Sequence, residues 1–228
     1  MGSEPQTPLV VAIAGTSGAG KTSLGKRVAA LLEDAVCLYF DQHSDYRFPN
    51  GDVWDEWTWV AGGCSPTAWC NPALAENLRQ LKAGHPVEIP GKRGTVSPAG
   101  VVVLEEPFGR SRPEIADLID YVVLVTVPLE IALARILDRS LRTDERRTTD
   151  PQAYLAWLQS YVSSKYPRCD RLGYEAVVAL AGASCDLRID GMQPLEISER
   201  QILAALHARF PDTLPNGGSA HETEIIVR

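Results

Sequence analysis

Continuous runs of apolar residues alternate along the chain with segments whose apolar residues recur at helical spacing. Five of the runs have the length of β-strands, and they span Leu9–Ala14, Ala35–Phe40, Val101–Leu104, Tyr121–Val127 and Cys185–Ile189. All but the last are almost uniformly apolar and do not alternate with polar residues. This pattern predicts strands that are covered on both faces, as in a parallel sheet.

Helical segments lie between these strands. Their start signals are found at Thr22, Asn71-Pro72, Pro128 and Asp150-Pro151. Proline suits the first turn of a helix, and Asn or Asp suits the position before it. Ser198 and Gln201 have the spacing of a capping box for the last helix. The alternation of strands and helices predicts an α/β fold of three layers, a parallel sheet with helices on both faces.

The composition is that of a globular protein, with 228 residues of which 45% are hydrophobic and 22% are charged. Such a length fits one domain with a substantial core, which we expect over residues 9–210. Residues 1–8 and 211–228 are rich in proline and polar residues. We therefore expect a flexible leader and a flexible tail there.

Charge and cysteine usage exclude several classes of partner. The 22 basic and 29 acidic residues give a net charge of -7, which disfavours nucleic acid. The five cysteines form no CxxC pair, so we expect reduced thiols in the cytoplasm and neither a disulfide framework nor a structural zinc site. The apolar run Leu9–Ala14 is too short to span a membrane, so we expect no membrane partner. A homodimer is left open.

A phosphate-binding loop follows the first predicted strand. Gly15–Thr22 reads GTSGAGKT and fits the pattern G-x-x-x-x-G-K-[ST] between a strand and a helix. Lys21 would reach the β- and γ-phosphates, and the Thr22 hydroxyl would bind Mg²⁺. The predicted nucleotide contacts are Gly15, Ser17, Gly18, Ala19, Gly20, Lys21, Thr22 and Ser23. The sequence therefore predicts a nucleoside triphosphate site, for ATP with Mg²⁺.

Two motifs that would point to other classes of nucleotide-binding protein are missing. Neither the [NT]-K-x-D motif of GTPases nor the LSGGQ signature of ABC-type ATPases occurs in the chain.

Acidic residues follow the next two strands. Asp41 comes directly after Ala35–Phe40, and Glu105-Glu106 comes directly after Val101–Leu104. Ligands of open α/β sheets bind beyond the carboxyl ends of the strands, so Asp41 could take a proton from an attacking hydroxyl. One of the two glutamates could hold a metal-bound water or contact the substrate. The alternative for Asp41 is a turn residue or a helix cap, and the alternative for the glutamates is simple surface charge. His43 and Asp45, in the loop that follows, are weaker candidates.

The order of five segments resembles the uridine kinase and phosphoribulokinase-like group of P-loop kinases, which includes nicotinamide riboside and pantothenate kinases. The segments read IAGTSGAGKTSLGKRVAALL, YFDQH, NPALAENLRQLKAGHPVEIP, VVVLEEPFG and ARILDRSLR, and the resemblance extends from Leu9 to Ile189. It implies a P-loop kinase fold with a small helical lid and transfer of the ATP γ-phosphate to a hydroxyl. It also implies that Asp41 is the catalytic base and that Glu105 supports the metal.

The chain departs from this family at three places. Gln42 to Tyr46 replace a Ser/Asp-Phe-Tyr sequence, Glu106 stands where the family has glycine, and the stretch 46–70 is long and rich in tryptophan. These departures leave the acceptor of the phosphate open. The acceptor that we expect first is a nucleoside or nucleoside-like metabolite. Non-nucleoside hydroxyls, such as those of pantothenate, glycerate or a sugar, are the next candidates.

Five arginines lie within 13 residues, at Arg135, Arg139, Arg142, Arg146 and Arg147. The family places a lid here, over about residues 135–150, whose arginines close over the transferred phosphate. Arg139 and Arg147 match the family segments and are the catalytic candidates, and Arg142 is a candidate for substrate binding. The alternative is a solvated helix face with pairs such as that of Asp138 with Arg142.

Four of the five tryptophans lie in the stretch 46–70, at Trp54, Trp57, Trp59 and Trp69. They could form an aromatic wall that stacks on a flat ring of the acceptor, or they could anchor the core or a subunit contact. The predicted acceptor contacts are Asp41, Tyr46, Trp54, Trp57, Glu105 and Arg142. Asp52, Asp55 and Glu56 are further candidates that could bind hydroxyls or a cationic group.

Two other classes of function remain as alternatives at this point. A regulatory ATPase would use the phosphate loop as a switch and would depend on a protein partner. A degenerate kinase would keep the fold as a binding or structural subunit, which the intact Lys21, Thr22 and Asp41 argue against.

Overall fold

The computed structural model describes residues 7–43, 47–69, 71–89 and 94–214. In chain order the elements are β1 (Leu9–Ala14), α1 (Lys21–Leu31), β2 (Ala35–Tyr39), α2 (Phe40–His43), α3 (Glu56–Ala61), α4 (Pro72–Lys82), β3 (Val87–Glu88), β4 (Thr95–Val96), β5 (Val101–Glu105), α5 (Pro113–Ala116), β6 (Tyr121–Thr126), α6 (Leu129–Thr143), α7 (Arg146–Thr149), α8 (Pro151–Ser160), α9 (Arg171–Gly182), β7 (Leu187–Asp190) and α10 (Leu195–Arg209). A 3-10 turn lies at Pro66–Ala68, and a π-helical segment at Tyr161–Asp170 connects α8 to α9.

Five parallel strands form the central sheet in the order β2-β5-β1-β6-β7, while β3 and β4 pair separately as a short antiparallel ribbon. All five predicted strands are therefore confirmed as members of one parallel sheet. β2 ends one residue earlier than predicted, because Phe40 already begins α2. Among the described residues, no helix is long and apolar enough to cross a membrane.

The two faces of the sheet are covered by separate apolar clusters, which explains why the strands are apolar throughout. Val10 and Ala12 of β1 belong to a cluster that includes residues of α4 and α9. Val11 and Ile13 belong to a cluster that includes residues of α1 and α10. Successive side chains of a strand point to opposite faces, so a strand between two helical layers must be apolar at every position. The prediction of a three-layer α/β fold is confirmed.

Four predicted helix starts agree with the structure within one residue, and a fifth is wrong. α1 begins at Lys21, and α6 begins at Leu129, directly after Pro128. Pro72 begins α4, and the carboxylate of Asp150 caps α8 by accepting the N–H of Ala153 at 3.0 Å. The capping box at Ser198 is wrong, because α10 begins three residues earlier, at Leu195. The Ser198 side chain is buried inside the helix and accepts a hydrogen bond from the Gln193 amide at 3.1 Å.

Residues 211–214 pack onto the domain, although we expected the tail to begin there. Leu214 is buried in the cluster formed with α1 and α10, and its N–H donates to the Phe210 carbonyl at 2.9 Å. The π-helical segment and α9 were not predicted. The leader residues 1–6 and the tail residues 215–228 lie outside the described part of the chain.

Candidate active site

A pocket of about 530 Å³ opens beyond the carboxyl ends of β1, β2 and β5. Its walls come from the phosphate loop, from Asp41 on α2, from Glu105 at the end of β5 and from two arginines of α6. Aromatic residues and part of α9 form the opposite side. The predicted convergence of strand ends on one site is therefore what the structure contains.

The phosphate loop packs so closely against β6 and α6 that two of its positions require glycine. Gly15 and Gly18 have positive φ angles of 132° and 77°. A Cβ atom on Gly15 would collide with the Val125 carbonyl oxygen, and one on Gly18 would lie 2.5 Å from the Ala132 carbonyl oxygen. Such close approach of two backbones leaves no room for a side chain. The loop is thus held in place by β6 and α6.

Seven of the eight predicted nucleotide contacts line the pocket. They are Gly15, Ser17, Gly18, Gly20, Lys21, Thr22 and Ser23. Ala19 does not, because its side chain is buried in the apolar cluster beside α1. The exception is small, since a loop binds phosphate through its backbone N–H groups.

Lys21, Thr22 and Glu105 meet at the floor of the pocket. The Lys21 ammonium donates to the Thr16 carbonyl at 2.9 Å and lies 3.7 Å from Glu105 Oε1. The Thr22 hydroxyl donates to Glu105 Oε2 at 2.7 Å. Burial lowers the pKa of Lys21, and the carboxylates of Glu105 and Asp41 oppose this shift. A hydroxyl and a carboxylate beside a buried lysine form an oxygen donor set of the kind that Mg²⁺ prefers.

Asp41 lies in the same pocket, at the second position of α2. Its side chain is exposed to the pocket, but the surrounding protein atoms remove part of its hydration, which raises the pKa of Asp41. The carboxylate of Glu105 raises it further, whereas Lys21 and Arg139 lower it. A carboxylate with a raised pKa is a better acceptor of a proton than an ordinary aspartate.

The structure separates the two glutamates after β5. The residues alone left either of them open, and the family resemblance pointed to Glu105. Glu105 contacts Lys21 and Thr22 as described above. Glu106 points away from the pocket and is fully buried, with its Oε2 2.6 Å from Arg112 Nη2. Glu105 is therefore the metal-side candidate, and Glu106 forms a buried ion pair.

Only part of the predicted arginine lid faces the pocket. Arg135 and Arg139, one turn apart on α6, line it. The Arg135 guanidinium donates to the carbonyls of Gly18 and Ala19, both at 3.3 Å, so it also braces the phosphate loop. The exposed residues Arg142, Arg146 and Arg147 do not line it, and Arg142 and Arg146 pair with Asp138 at 2.8 Å and Asp144 at 2.6 Å. Arg147, predicted as a catalytic residue, and Arg142, predicted as a substrate contact, therefore do not contact the pocket.

Four rings form the aromatic wall of the pocket, namely Phe40, Trp59, Trp69 and Phe108. The two tryptophans that we predicted as acceptor contacts lie elsewhere. Trp54 packs against Trp69, with ring centroids 3.6 Å apart and the rings tilted by 37°, and Trp57 is 43% exposed. Helical spacing explains the position of Trp57, because Glu56 and Trp59 are three residues apart on α3 and share the pocket face, whereas Trp57 points outward. Trp54 precedes α3, so this argument does not apply to it. Tyr46 lies outside the described residues.

Glu56 is the only one of three predicted insertion carboxylates that lines the pocket. Its Oε2 accepts from the Lys165 ammonium at 2.5 Å, and Lys165 also donates to buried Asp170 at 2.8 Å. Asp55 caps α3 by accepting the N–H of Thr58 at 2.8 Å, and Asp52 accepts from the Asn50 amide at 2.7 Å.

Two weaker candidates and the unpredicted lining residues complete the comparison with the sequence. Besides two residues of α9, the unpredicted residues are Thr16, Phe40, Pro107 and Phe108. His43 is buried and hydrogen-bonded to Tyr39 and Asn77, and Asp45 lies outside the described residues. Tyr174 and Val177 of α9 line the pocket but were not predicted. Their three-residue spacing is the only signal that could have suggested a shared face.

Comparison of the amino-acid sequence relates the chain to known proteins. A family model described as AAA domain matches residues 11–153, which include the phosphate loop, Asp41, Glu105 and α6. A uridine kinase of Macrococcus caseolyticus is 30% identical over 149 residues, which are 60% of this chain and 70% of that protein. A uridine kinase of Lactobacillus helveticus is 25% identical over 197 residues, or 81% of this chain and 92% of that protein.

A solved structure shares the fold at lower identity. It is a candidate fructose transport system kinase from Silicibacter sp. TM1040, with a TM-score of 0.50 and 17% identity. The match covers 83% of this chain and 93% of the other. It agrees with the three-layer arrangement described above.

Proposed function

The chain belongs to the uridine kinase family of P-loop kinases, and from that starting point we propose that it transfers the γ-phosphate of ATP to a hydroxyl of a nucleoside or nucleoside-like metabolite. The observation that carries the proposal is the meeting of Lys21, Thr22, Glu105 and Asp41 in one pocket. A regulatory ATPase needs no carboxylate placed to receive the proton of an acceptor. The kinase reading is therefore favoured over that alternative.

Thr22 and Glu105 are the residues that would hold Mg²⁺. Their two oxygens already lie 2.7 Å apart beside the phosphate loop, which fits a cation with oxygen ligands. When bound, Mg²⁺ neutralises charge on the phosphate oxygens of ATP. Lys21 would add its positive charge to the same phosphates, and the backbone from Gly15 to Gly20 would cradle them.

Asp41 is the residue that we assign as the general base. It would accept the proton of the acceptor hydroxyl while that oxygen attacks the γ-phosphorus, and the bond from phosphorus to the β–γ bridging oxygen breaks. Arg139 would balance the charge that develops on the transferred group. The raised pKa of Asp41 suits the first of these roles.

The acceptor half of the pocket is suited to an uncharged molecule with a flat ring. Its walls are the aromatic wall together with Val177, Tyr174 and Glu56. Among the described lining residues the basic ones are Lys21, Arg135 and Arg139, all on the phosphate loop or on α6. Aromatic rings stack on a nucleobase, and the carboxylate of Glu56 can accept hydrogen bonds from sugar hydroxyls. These features favour a nucleoside over a carboxylated acceptor such as pantothenate or glycerate.

The remaining proposals concern the cellular location, the binding partners and the oligomeric state of the protein. The described cysteines Cys37, Cys64, Cys169 and Cys185 carry free thiols, which is compatible with a reducing compartment. We therefore keep the cytoplasm as the proposed location, with a small molecule as the partner and no nucleic acid or membrane. A homodimer also stays a proposal.

The test is acceptor-dependent formation of ADP by the purified protein with ATP, Mg²⁺ and, in turn, uridine, cytidine, nicotinamide riboside, pantothenate and fructose. We expect a nucleoside to give the largest rate. Asp41→Asn should lower kcat by a factor of about 10² to 10⁴ and leave the Kd for ATP nearly unchanged, because only proton transfer is lost.

Asp52→Asn provides the matched control, since Asp52 is an exposed carboxylate that lies outside the pocket. It should retain the turnover of the unmodified protein. Near-normal turnover in Asp41→Asn would contradict the assignment of the base, and a rate of ADP formation that no acceptor increases would contradict the kinase itself.

A further inference from the structure

Directly behind the aromatic wall lies an ion pair that is completely shielded from solvent. Arg112 and Glu106 both have side chains that are 0% exposed. The guanidinium engages both carboxylate oxygens, with Nη2 2.6 Å from Oε2 and Nε 3.2 Å from Oε1. This two-point contact fixes the plane of the guanidinium as well as its position.

Stability alone does not account for such a pair. Removing two charges from water carries a large free-energy cost, and apolar residues of the same volume often stabilise a core equally well or better. What an ion pair offers that apolar packing does not is direction, since each hydrogen bond requires one orientation of its partner. The remaining contacts of Arg112 and Glu106 therefore identify what is being oriented.

One of those contacts is with the partly exposed Glu114, whose Oε1 lies 2.9 Å from Arg112 Nη1. The others lead to three of the four residues of the aromatic wall. The Arg112 guanidinium lies over the Phe40 ring at 4.9 Å from its centroid, and its Nη1 donates to the Trp69 carbonyl at 3.4 Å. The Glu106 carboxylate accepts the backbone N–H of Phe108 at 3.2 Å. Phe40, Trp69 and Phe108 come from three separate segments of the chain, and Phe40 directly precedes Asp41.

We propose that the Glu106–Arg112 pair is a positioning device for the acceptor, which holds the aromatic wall in register with Asp41 without touching the substrate. The inference rests on the proposed kinase function, and it adds two residues that have no place in the phosphate-binding machinery. Loss of the pair displaces the wall and weakens acceptor binding, while the phosphate loop keeps its contacts with β6 and α6.

Arg112→Lys is the first variant, because it keeps the charge but loses the planar fork and the stacking over Phe40. We expect the KM for uridine, the probe acceptor, to rise about tenfold while the KM for ATP stays within about twofold. Arg110→Lys is the matched control. Arg110 lies two residues away and is half-buried, whereas Arg112 is fully buried, and it donates to the carbonyls of Ile119, Asp120 and Ser184, none of which lines the pocket.

A second variant separates positioning from stability. In Glu106→Leu combined with Arg112→Met, no charge is left buried without a partner, so the protein should fold with a midpoint of urea unfolding close to that of the unmodified protein. We expect the same rise in the KM for uridine. Quenching of tryptophan fluorescence by acrylamide should also increase in both Arg112 variants but not in Arg110→Lys.

An unchanged KM for uridine in both Arg112 variants, or an equal rise in the KM for uridine and for ATP, would overturn the proposal. The acrylamide measurement needs no substrate. If no nucleoside is phosphorylated by the unmodified protein, the proposed function fails, and the quenching result still decides whether the pair positions the wall.

Discussion

Burial shifts the pKa values of the two central site residues in opposite directions. It raises the pKa of Asp41 and lowers the pKa of Lys21, because removal of water disfavours whichever form is charged. The two groups also oppose each other's shift through their attraction. Arg139 acts on both, lowering the pKa of Asp41 and that of Lys21. At the scale of single residues, Arg139 therefore contributes to the pKa of both groups, after burial and the nearer charges.

A pH profile tests this electrostatic coupling. The base is active when deprotonated, so kcat/KM for the acceptor should fall as the pH decreases through the pKa of Asp41. Arg139→Gln removes a positive charge that lowers this pKa, so the acid limb of the profile should move to higher pH. The measurement is kcat/KM against pH for both proteins.

Arg142→Gln serves as the control, because the Arg142 guanidinium is paired with Asp138 on the exposed side of α6. Its acid limb should stay in place. An acid limb that moves to lower pH in Arg139→Gln, or does not move, would show that another group titrates.

At the scale of secondary-structure elements, the close packing of α9 against α3 fixes the position of the aromatic wall. Gly173 of α9 faces the Trp59 ring, and a Cβ atom there would lie 2.8 Å from Trp59 Cζ3. The ion pair between Lys165 and Glu56 joins the π-helical segment to the same helix α3. Two elements more than 100 residues further along the chain thus decide where α3 presents its pocket face.

Gly173→Ala is expected to push the Trp59 ring toward the pocket. Since the ring is large and buried, the free energy of unfolding should fall by about 1–3 kcal/mol, and the KM for the acceptor should rise while the Kd for ATP stays the same. Urea unfolding and steady-state kinetics measure the two effects.

Gly182→Ala on the same helix is the matched control. Its Cβ would meet only the end of the exposed, flexible Arg188 side chain, at 2.8 Å, and that side chain can move. This variant should show neither effect. Equal KM values for Gly173→Ala and the unmodified protein would mean that Trp59 does not contact the acceptor.

The strand order explains, at the scale of the whole molecule, why one pocket collects residues so far apart in the sequence. β1 lies between β5 and β6, so the phosphate loop after β1 meets Glu105 at the end of β5 and the backbone of β6. The net charge of -7 is compatible with an anionic ligand because Lys21, Arg135 and Arg139 all line this pocket. Because the pocket joins residues from several strands and helices, nucleotide binding should stabilise the whole domain against unfolding.

A non-hydrolysable ATP analogue with Mg²⁺ should raise the thermal unfolding midpoint. At about 100 times its Kd, a ligand that binds only the folded state adds about 2.7 kcal/mol of stability. Lys21→Met should lose most of this shift, because the variant lacks the charge that binds the phosphates. Thermal unfolding of both proteins with and without the analogue measures it, and equal shifts would exclude Lys21 from the nucleotide site.

The sequence by itself determined the features whose causes are local. The spacing of GTSGAGKT, the apolar strands and the position of Asp41 directly after a strand predicted the fold class, the nucleotide loop and the proposed base. Each depends on residues that are close together in the chain, where hydrogen bonding and helical or strand periodicity act over a few positions.

Only the tertiary structure decided which candidates face the pocket. It places the predicted residues Glu105 and Arg139 in the pocket, leaves Arg142 outside it, and has Trp59 in the pocket where Trp57 was predicted. Such positions depend on packing partners that are remote in sequence. The helix α3, which carries Trp59, is held for example by the ion pair of Glu56 with Lys165, 109 residues away. Local periodicity predicts that a helix has a buried face, but the direction of that face is determined by the elements that cover it.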